Sequence, residues 1–153
     1  EGRSALLLGK SKDNNASCSI GPLIRLFDDG FGIEQINSAE LTLTVEGTDG
    51  YVLRGSSSMK EISRDPTDLV RQTCGPNHQY PDGFMLFLGT LFAPTEDRDI
   101  PGEGFTHKLG DRVTISEPCL GDLINTVNLS PECPQWEFGI SSLMENLAQR
   151  QLL

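Results

Sequence analysis

Residues Glu40-Leu41-Thr42-Leu43-Thr44-Val45-Glu46 alternate apolar and polar with period two, the pattern of an extended strand with one buried face. A second alternating run, carrying Tyr51 and Leu53, follows Thr48-Asp49-Gly50. Glycine takes positive φ without steric cost and its neighbour Asp tolerates it, so Asp-Gly between two such runs predicts a β-hairpin. An antiparallel pair is therefore the element around which the fold has to be built.

Other segments extend this reading. Ile20–Phe27 has the composition of a strand and ends in the turn residues Asp28-Asp29-Gly30. Further strands are expected at Phe84–Leu88, at Arg112–Ser116, fed by a Gly110-Asp111 turn, and at Leu120–Val127. Two helices are expected. One starts at Asp65 as cap with Pro66 in the first helical position and runs through Leu69 and Val70 to Gly75. The other carries Ile140, Leu143, Met144 and Leu147 at helical spacing, a stripe expected to pack into the core. Strands outnumber helices and no strand–helix alternation supports a doubly wound sheet, so the expected class is mostly β, in one domain over residues 1–153. The loop Ala93–Thr106, rich in Pro, Asp, Glu and Gly, has the length of a lid or of a solvated excursion.

Charge limits the partners. With 12 Lys and Arg against 22 Asp and Glu, the net charge of −10 leaves no basic surface to track phosphates, and nucleic acid is not an expected partner. The longest apolar runs are too short to span a bilayer and no leader pattern is visible, so a cytoplasmic protein without a membrane partner is expected. Cys18, Cys74, Cys119 and Cys133 form no Cys-x-x-Cys pair and are expected as reduced thiols. Cys18, although close to Lys12, is expected to pack as a small apolar group.

No Gly-x-Gly-x-x-Gly, P-loop or Gly-x-Ser-x-Gly pattern occurs, which argues against dinucleotide, nucleotide and serine-hydrolase chemistry. Glu96, Asp97 and Asp99 lack the ligand order and glycine bend of a calcium loop and read as a solvated charge run. His78 and His107 lie too far apart for a local metal pair, and each is expected to serve as a surface or loop hydrogen-bonding group.

Two polar segments attached to apolar runs, Lys10-Ser11-Lys12-Asp13-Asn14-Asn15-Ala16-Ser17-Cys18-Ser19-Ile20-Gly21-Pro22 and Asp82-Gly83-Phe84-Met85-Leu86-Phe87-Leu88-Gly89-Thr90, resemble the fumarylacetoacetate hydrolase superfamily. Glu46-Gly47, Gly55-Ser56-Ser57-Ser58-Met59, Gly104-Phe105-Thr106-His107 and Gly110-Asp111-Arg112-Val113 extend the resemblance over nearly the whole chain. It is nearest to the branch that dehydrates 2-keto-3-deoxy-aldonates such as 2-keto-3-deoxy-xylonate or -arabonate.

The resemblance implies a mixed β-sandwich or β-roll whose catalytic mouth is built from strand ends and loops. It implies that Lys12 is the lysine beside the substrate's carboxylate or enolate, and that Thr90, with Gly89, faces the substrate through its hydroxyl and amide. Ser57 and Ser58 would contact the ligand or order its loop, and Glu1 would point into the site. Mg²⁺ or Mn²⁺ would be held by a Glu-x-Glu pair and an Asp expected upstream of Glu1, which makes this chain the C-terminal portion of such a catalytic domain. The ion would stabilise an enolate as a Lewis acid. A small 2-keto acid as substrate and self-association into oligomers are also implied. Hydrolysis of a carbon–carbon bond in an acylpyruvate or β-diketone is the alternative reaction. A noncatalytic β-domain, or half of a split assembly, is the alternative of another class.

Overall fold

The computed structural model describes residues 14–21, 23–90 and 92–153. Its centre is a four-stranded antiparallel sheet built from β1 (Glu40–Glu46), β2 (Val52–Ser58), β3 (Arg112–Glu117) and β4 (Gly121–Thr126), in spatial order β2-β1-β3-β4. The fold is mostly β, with three α-helices among the described residues: α1 (Ile33–Asn37), α2 (Pro66–Thr73) and α3 (Ile140–Gln149).

The β1–β2 hairpin turns where the Asp-Gly signal lies. Gly50 has φ +85°, its N–H donates to the Gly47 carbonyl at 3.1 Å, and the Asp49 carboxylate accepts from the Tyr51 amide at 3.1 Å. The β3–β4 hairpin is closed by Glu117, whose carboxylate accepts from the amides of Cys119 and Leu120. Gly110 also takes positive φ, and beyond it the ladder continues as Gly110 N–H donates to the Val127 carbonyl and Val127 N–H to that of Asp111, both at 2.9 Å.

Register decides which side chains share a face. Val45 pairs with Leu53 on one side and Val113 on the other, and Leu43 pairs with Gly55 and Ile115. Those positions make one apolar face, while Thr44, Arg54 and Thr114 make the opposite one. Val45 and Leu53 are the buried heart of the apolar face, and Phe31 is buried as well. The tip of the Phe92 ring sits against Gly55, where a Cβ would overlap it.

The chain's contacts fall into two groups. Residues 20–127 hold the sheet, α1 and α2. Helix α2 begins as its sequence prescribes, with the Asp65 carboxylate accepting from the amides of Thr67 and Asp68 and with Pro66 at the first position. The other group, residues 14–19 and 128–153, holds α3, with Ser130 Oγ donating to the Asn15 carbonyl at 2.8 Å and Trp136 Nε1 donating to the Phe138 carbonyl at 2.8 Å.

Four expectations are corrected. The described residues of Ile20–Phe27 form no strand: Leu23 and Ile24 are exposed, and an Arg25–Asp28 ion pair at 2.6 Å and an isolated bridge between Asp28 and Phe31 follow. Phe84–Leu88 forms none either. A run of apolar residues becomes a strand only when a neighbour completes its ladder, and among the described residues neither segment has one. The α3 stripe is not core, since Ile140, Leu143 and Met144 are all exposed. Cys18 is exposed rather than packed. Leu53→Ala should therefore cost about 3 kcal/mol, whereas Ile140→Ala should cost less than about 0.5 kcal/mol; urea unfolding midpoints of the two variants check the difference.

Candidate functional site

A cavity of about 700 Å³ lies over the apolar face of the sheet. Leu43, Val45 and Ile115 form its floor, and Phe92 and Phe105 are in its wall. Its volume is that of a small-molecule pocket, mostly apolar with a few polar groups. Three residues singled out from the sequence meet there: Ser57, Gly89 and Thr90. Period-two alternation brings Ser57 onto the cavity side, paired with Leu41. Gly89 has φ +83°, and a Cβ there would meet nothing, so backbone conformation rather than close approach calls for glycine. The Thr90 hydroxyl donates to the Phe92 carbonyl and accepts from the Phe92 amide, both at 3.1 Å, which fixes the turn that lays Phe92 on the sheet.

Ser58 falls on the other face, where its hydroxyl donates to Glu40 at 2.7 Å across the strand pair. Lys12 and Glu1 lie outside the described residues.

Beside the cavity, a charged cluster ties three loops together. The side chains of Asp111 and Arg98 are almost entirely removed from solvent, and two parallel hydrogen bonds join them, Nη1 to Oδ2 at 2.5 Å and Nη2 to Oδ1 at 2.8 Å. The Lys108 amide donates to the same Oδ2 at 2.9 Å. Arg98 also donates to the Thr106 carbonyl at 3.2 Å, reaches Asp49 at 3.3 Å, and lies over the Tyr51 ring at 4.6 Å. Lys108 Nζ joins Asp49 at 2.9 Å to Asp99 at 2.5 Å. Tyr51 donates its hydroxyl to Glu96 and stacks on Phe105, which packs edge-on against His107 at 4.8 Å.

Glu96, Asp97 and Asp99 are exposed, as a solvated charge run is, and each is also engaged. Asp97 accepts from the amides of Gly102 and Gly104 and so folds the loop on itself. The Ala93–Thr106 loop is anchored by a buried arginine, which composition could not reveal. Arg98, Asp111 and His107 were not singled out as site residues. The available signal was the pairing of Gly47-x-Asp49 with Gly110-Asp111, two turns that converge only in the folded sheet.

Electrostatics follows the geometry. The Arg98 fork, reinforced by the Lys108 amide, holds the Asp111 carboxyl well below the usual carboxylate range despite burial. Asp111 in turn raises the Arg98 guanidinium. The Lys108 hydrogen bond, with the Tyr51 amide, lowers Asp49 to about 2. Desolvation first, and then the hydrogen bond to Glu96, push Tyr51 up to about 12.

Among the described residues no group of three or more His, Cys, Asp and Glu side chains could hold a metal ion. The nearest concentration of carboxylates is already occupied by Arg98 and Lys108, so these residues do not fit a divalent site. No helix among the described residues is long and apolar enough to cross a membrane.

No family model matches the chain, and no solved structure matches it. It is similar to a probable 2-keto-3-deoxyxylonate dehydratase from Haloferax volcanii, with 26% identity over 127 residues. The match covers 83% of this chain and 40% of the relative, so the chain spans well under half of that protein.

Two outcomes follow from the cluster. Arg98→Met leaves a buried carboxylate without its partner and should destabilise by about 3–5 kcal/mol, read as a lowered denaturation midpoint. Asp49 and Asp111 stay ionised in the folded state at pH values where the unfolded chain takes up protons. Their contribution is therefore complete above about pH 5 and lost as pH falls from about 4 toward 2; thermal melts across that range should show the decline, and Asp49→Asn should make it shallower.

Proposed function

We propose that the protein carrying this chain is a sugar-acid dehydratase of the fumarylacetoacetate hydrolase superfamily. It removes water from a 2-keto-3-deoxy-pentonate toward 2-oxoglutarate semialdehyde, and this chain is the C-terminal portion of its catalytic domain, of the β-sandwich or β-roll type. The observation that carries the reading is the similarity to the Haloferax volcanii protein named for that activity. The meeting of Ser57, Gly89 and Thr90 at one cavity supports it, because these are the residues that the family resemblance assigned to substrate.

Loss of water β to a ketone needs an acceptor for the α-proton, a positive group beside the enolate and carboxylate, and a donor for the departing hydroxyl. Lys12 is the proposed positive group. Thr90 and Gly89 line the substrate, with Ser57, and Glu1 completes the proposed set. The complete protein is proposed to use Mg²⁺ or Mn²⁺ on carboxylates upstream of Glu1, to self-associate, and to work in the cytoplasm.

One observation favours a second reaction. The cavity is lined mostly by apolar side chains, which solvate an acyl chain better than a polyhydroxylated one. Hydrolysis of a carbon–carbon bond in an acylpyruvate or β-diketone would use that lining.

Incubating the complete protein with 2-keto-3-deoxy-xylonate and with an acylpyruvate, and identifying the products, separates the two: dehydration keeps the carbon chain whole and hydrolysis cuts it. Turnover of the sugar acid should stop in excess chelator, and Lys12→Ala should lower it at least about tenfold with folding retained. An undiminished rate with chelator removes the metal from the mechanism. An undiminished rate in the variant removes Lys12.

A further inference from the structure

His107 lies in the wall of the same cavity, with its side chain 44% exposed. Its Nδ1 is 3.4 Å from Oδ2 of Asp111, whose side chain is fully buried, and its face and edge are set by the perpendicular packing of Phe105. Phe105 is backed by Tyr51, and Tyr51 by Arg98. An imidazole placed between a buried carboxylate and a ligand cavity is the arrangement that fixes one tautomer and frees the other nitrogen for proton transfer.

We propose that His107, oriented by Asp111, is the proton-transfer base of this cavity, taking the proton from the carbon next to the substrate's keto group and returning it to the departing hydroxyl. The first half needs only a 2-keto acid; the second half rests on the dehydratase reading.

An ionised carboxylate has acceptor positions and no donor, so the imidazole nitrogen that faces it is the one that carries hydrogen. Arg98 and the Lys108 amide make three hydrogen bonds to Asp111, one on Oδ1 and two on Oδ2, and Nδ1 is a further polar neighbour of Oδ2 at 3.4 Å. A neutral ring then carries its hydrogen on Nδ1, and the Nε2 lone pair is free. Because Arg98 already balances the Asp111 charge, the carboxylate acts on the imidazole chiefly by holding its tautomer and plane. The 3.4 Å separation is that of a pair that tightens when ligand excludes water.

The proposed steps balance. The Nε2 lone pair takes a proton from C3, and the C–H electron pair passes into the C2–C3 enolate. That pair then forms the C3–C4 double bond as the C4–O bond breaks, and the hydroxyl leaves as water with the proton from Nε2. The ring ends neutral, as it began, and no oxidant or reductant takes part. Asp111 is the positioning residue, and Thr90 and Ser57 line the same cavity.

The test uses the complete protein and its His107→Gln variant, with thermal melts to confirm equal folding. Two reactions are followed by proton NMR in D₂O: deuterium entry at C3 of 2-oxobutyrate, which has no leaving group, and loss of water from 2-keto-3-deoxy-xylonate. The expected result is that His107→Gln lowers both by about 100-fold or more with KM within about threefold. Long-range ¹H–¹⁵N spectra should show His107 protonated on Nδ1 and bare on Nε2. Deuterium entry that depends on His107 without any dehydration supports the base and overturns the dehydratase reading. Dehydration undiminished in the variant, or a ring protonated on Nε2, overturns the base and leaves the reading standing. Neither reaction in the wild-type protein overturns both.

Discussion

The Arg98–Asp111 pair is the interaction on which the arrangement around the cavity depends. Two opposite charges withdrawn from water are tolerated only when they are paired and hydrogen-bonded, and here a fork of two short bonds pairs them, with Arg98 Nε left without a partner. The pair sits where three chain segments meet. Arg98 comes from the Ala93–Thr106 loop, Asp111 from the turn before β3, and Asp49, which Arg98 also reaches, from the β1–β2 hairpin. One guanidinium thereby fixes the mutual placement of two hairpin ends and a long loop.

Glycine makes that approach possible. A Cβ on Gly47 would overlap both Arg98 Nη2 and Asp49 Oδ1, so the hairpin can close over the guanidinium only with glycine there. A comparable constraint holds at the far side of the cavity, where Phe92 covers Gly55 and the Thr90 hydroxyl pins the Phe92 backbone. Of these two close approaches of side chain to backbone, the aromatic one lies in the cavity wall and the polar one in the charged cluster. Between them lies an apolar floor whose side chains are fixed by strand register.

The local signals in the chain were reliable wherever the chemistry was local. Asp49-Gly50 marked the hairpin, and Asp65-Pro66 marked the start of α2, because the residues that make those turns are neighbours in sequence. The strand 40–46 was legible from alternation and those at 112–116 and 120–127 were expected as well, and the structure bounds all three within a residue or two. Ile20–Phe27 and Phe84–Leu88 had equally convincing composition, yet a strand is defined by its partner, and apolar content does not specify one. The exposed α3 stripe teaches the same point: helical spacing predicted the helix but not what, if anything, lies against it.

By itself the sequence determined the antiparallel frame, its turns, and the family resemblance that directs attention to Lys12, Ser57, Gly89 and Thr90. Only the tertiary structure decided that Ser57, Gly89 and Thr90 share a cavity, that Ser58 faces the other way, and that Arg98 is buried rather than solvated. It also decided that His107 stands between that cavity and Asp111. The physical reason is sequence separation. Turn geometry and alternation are set by residues a few positions apart, whereas a buried charge, or an imidazole with a carboxylate behind it, acquires its properties from whatever the folded sheet brings against it.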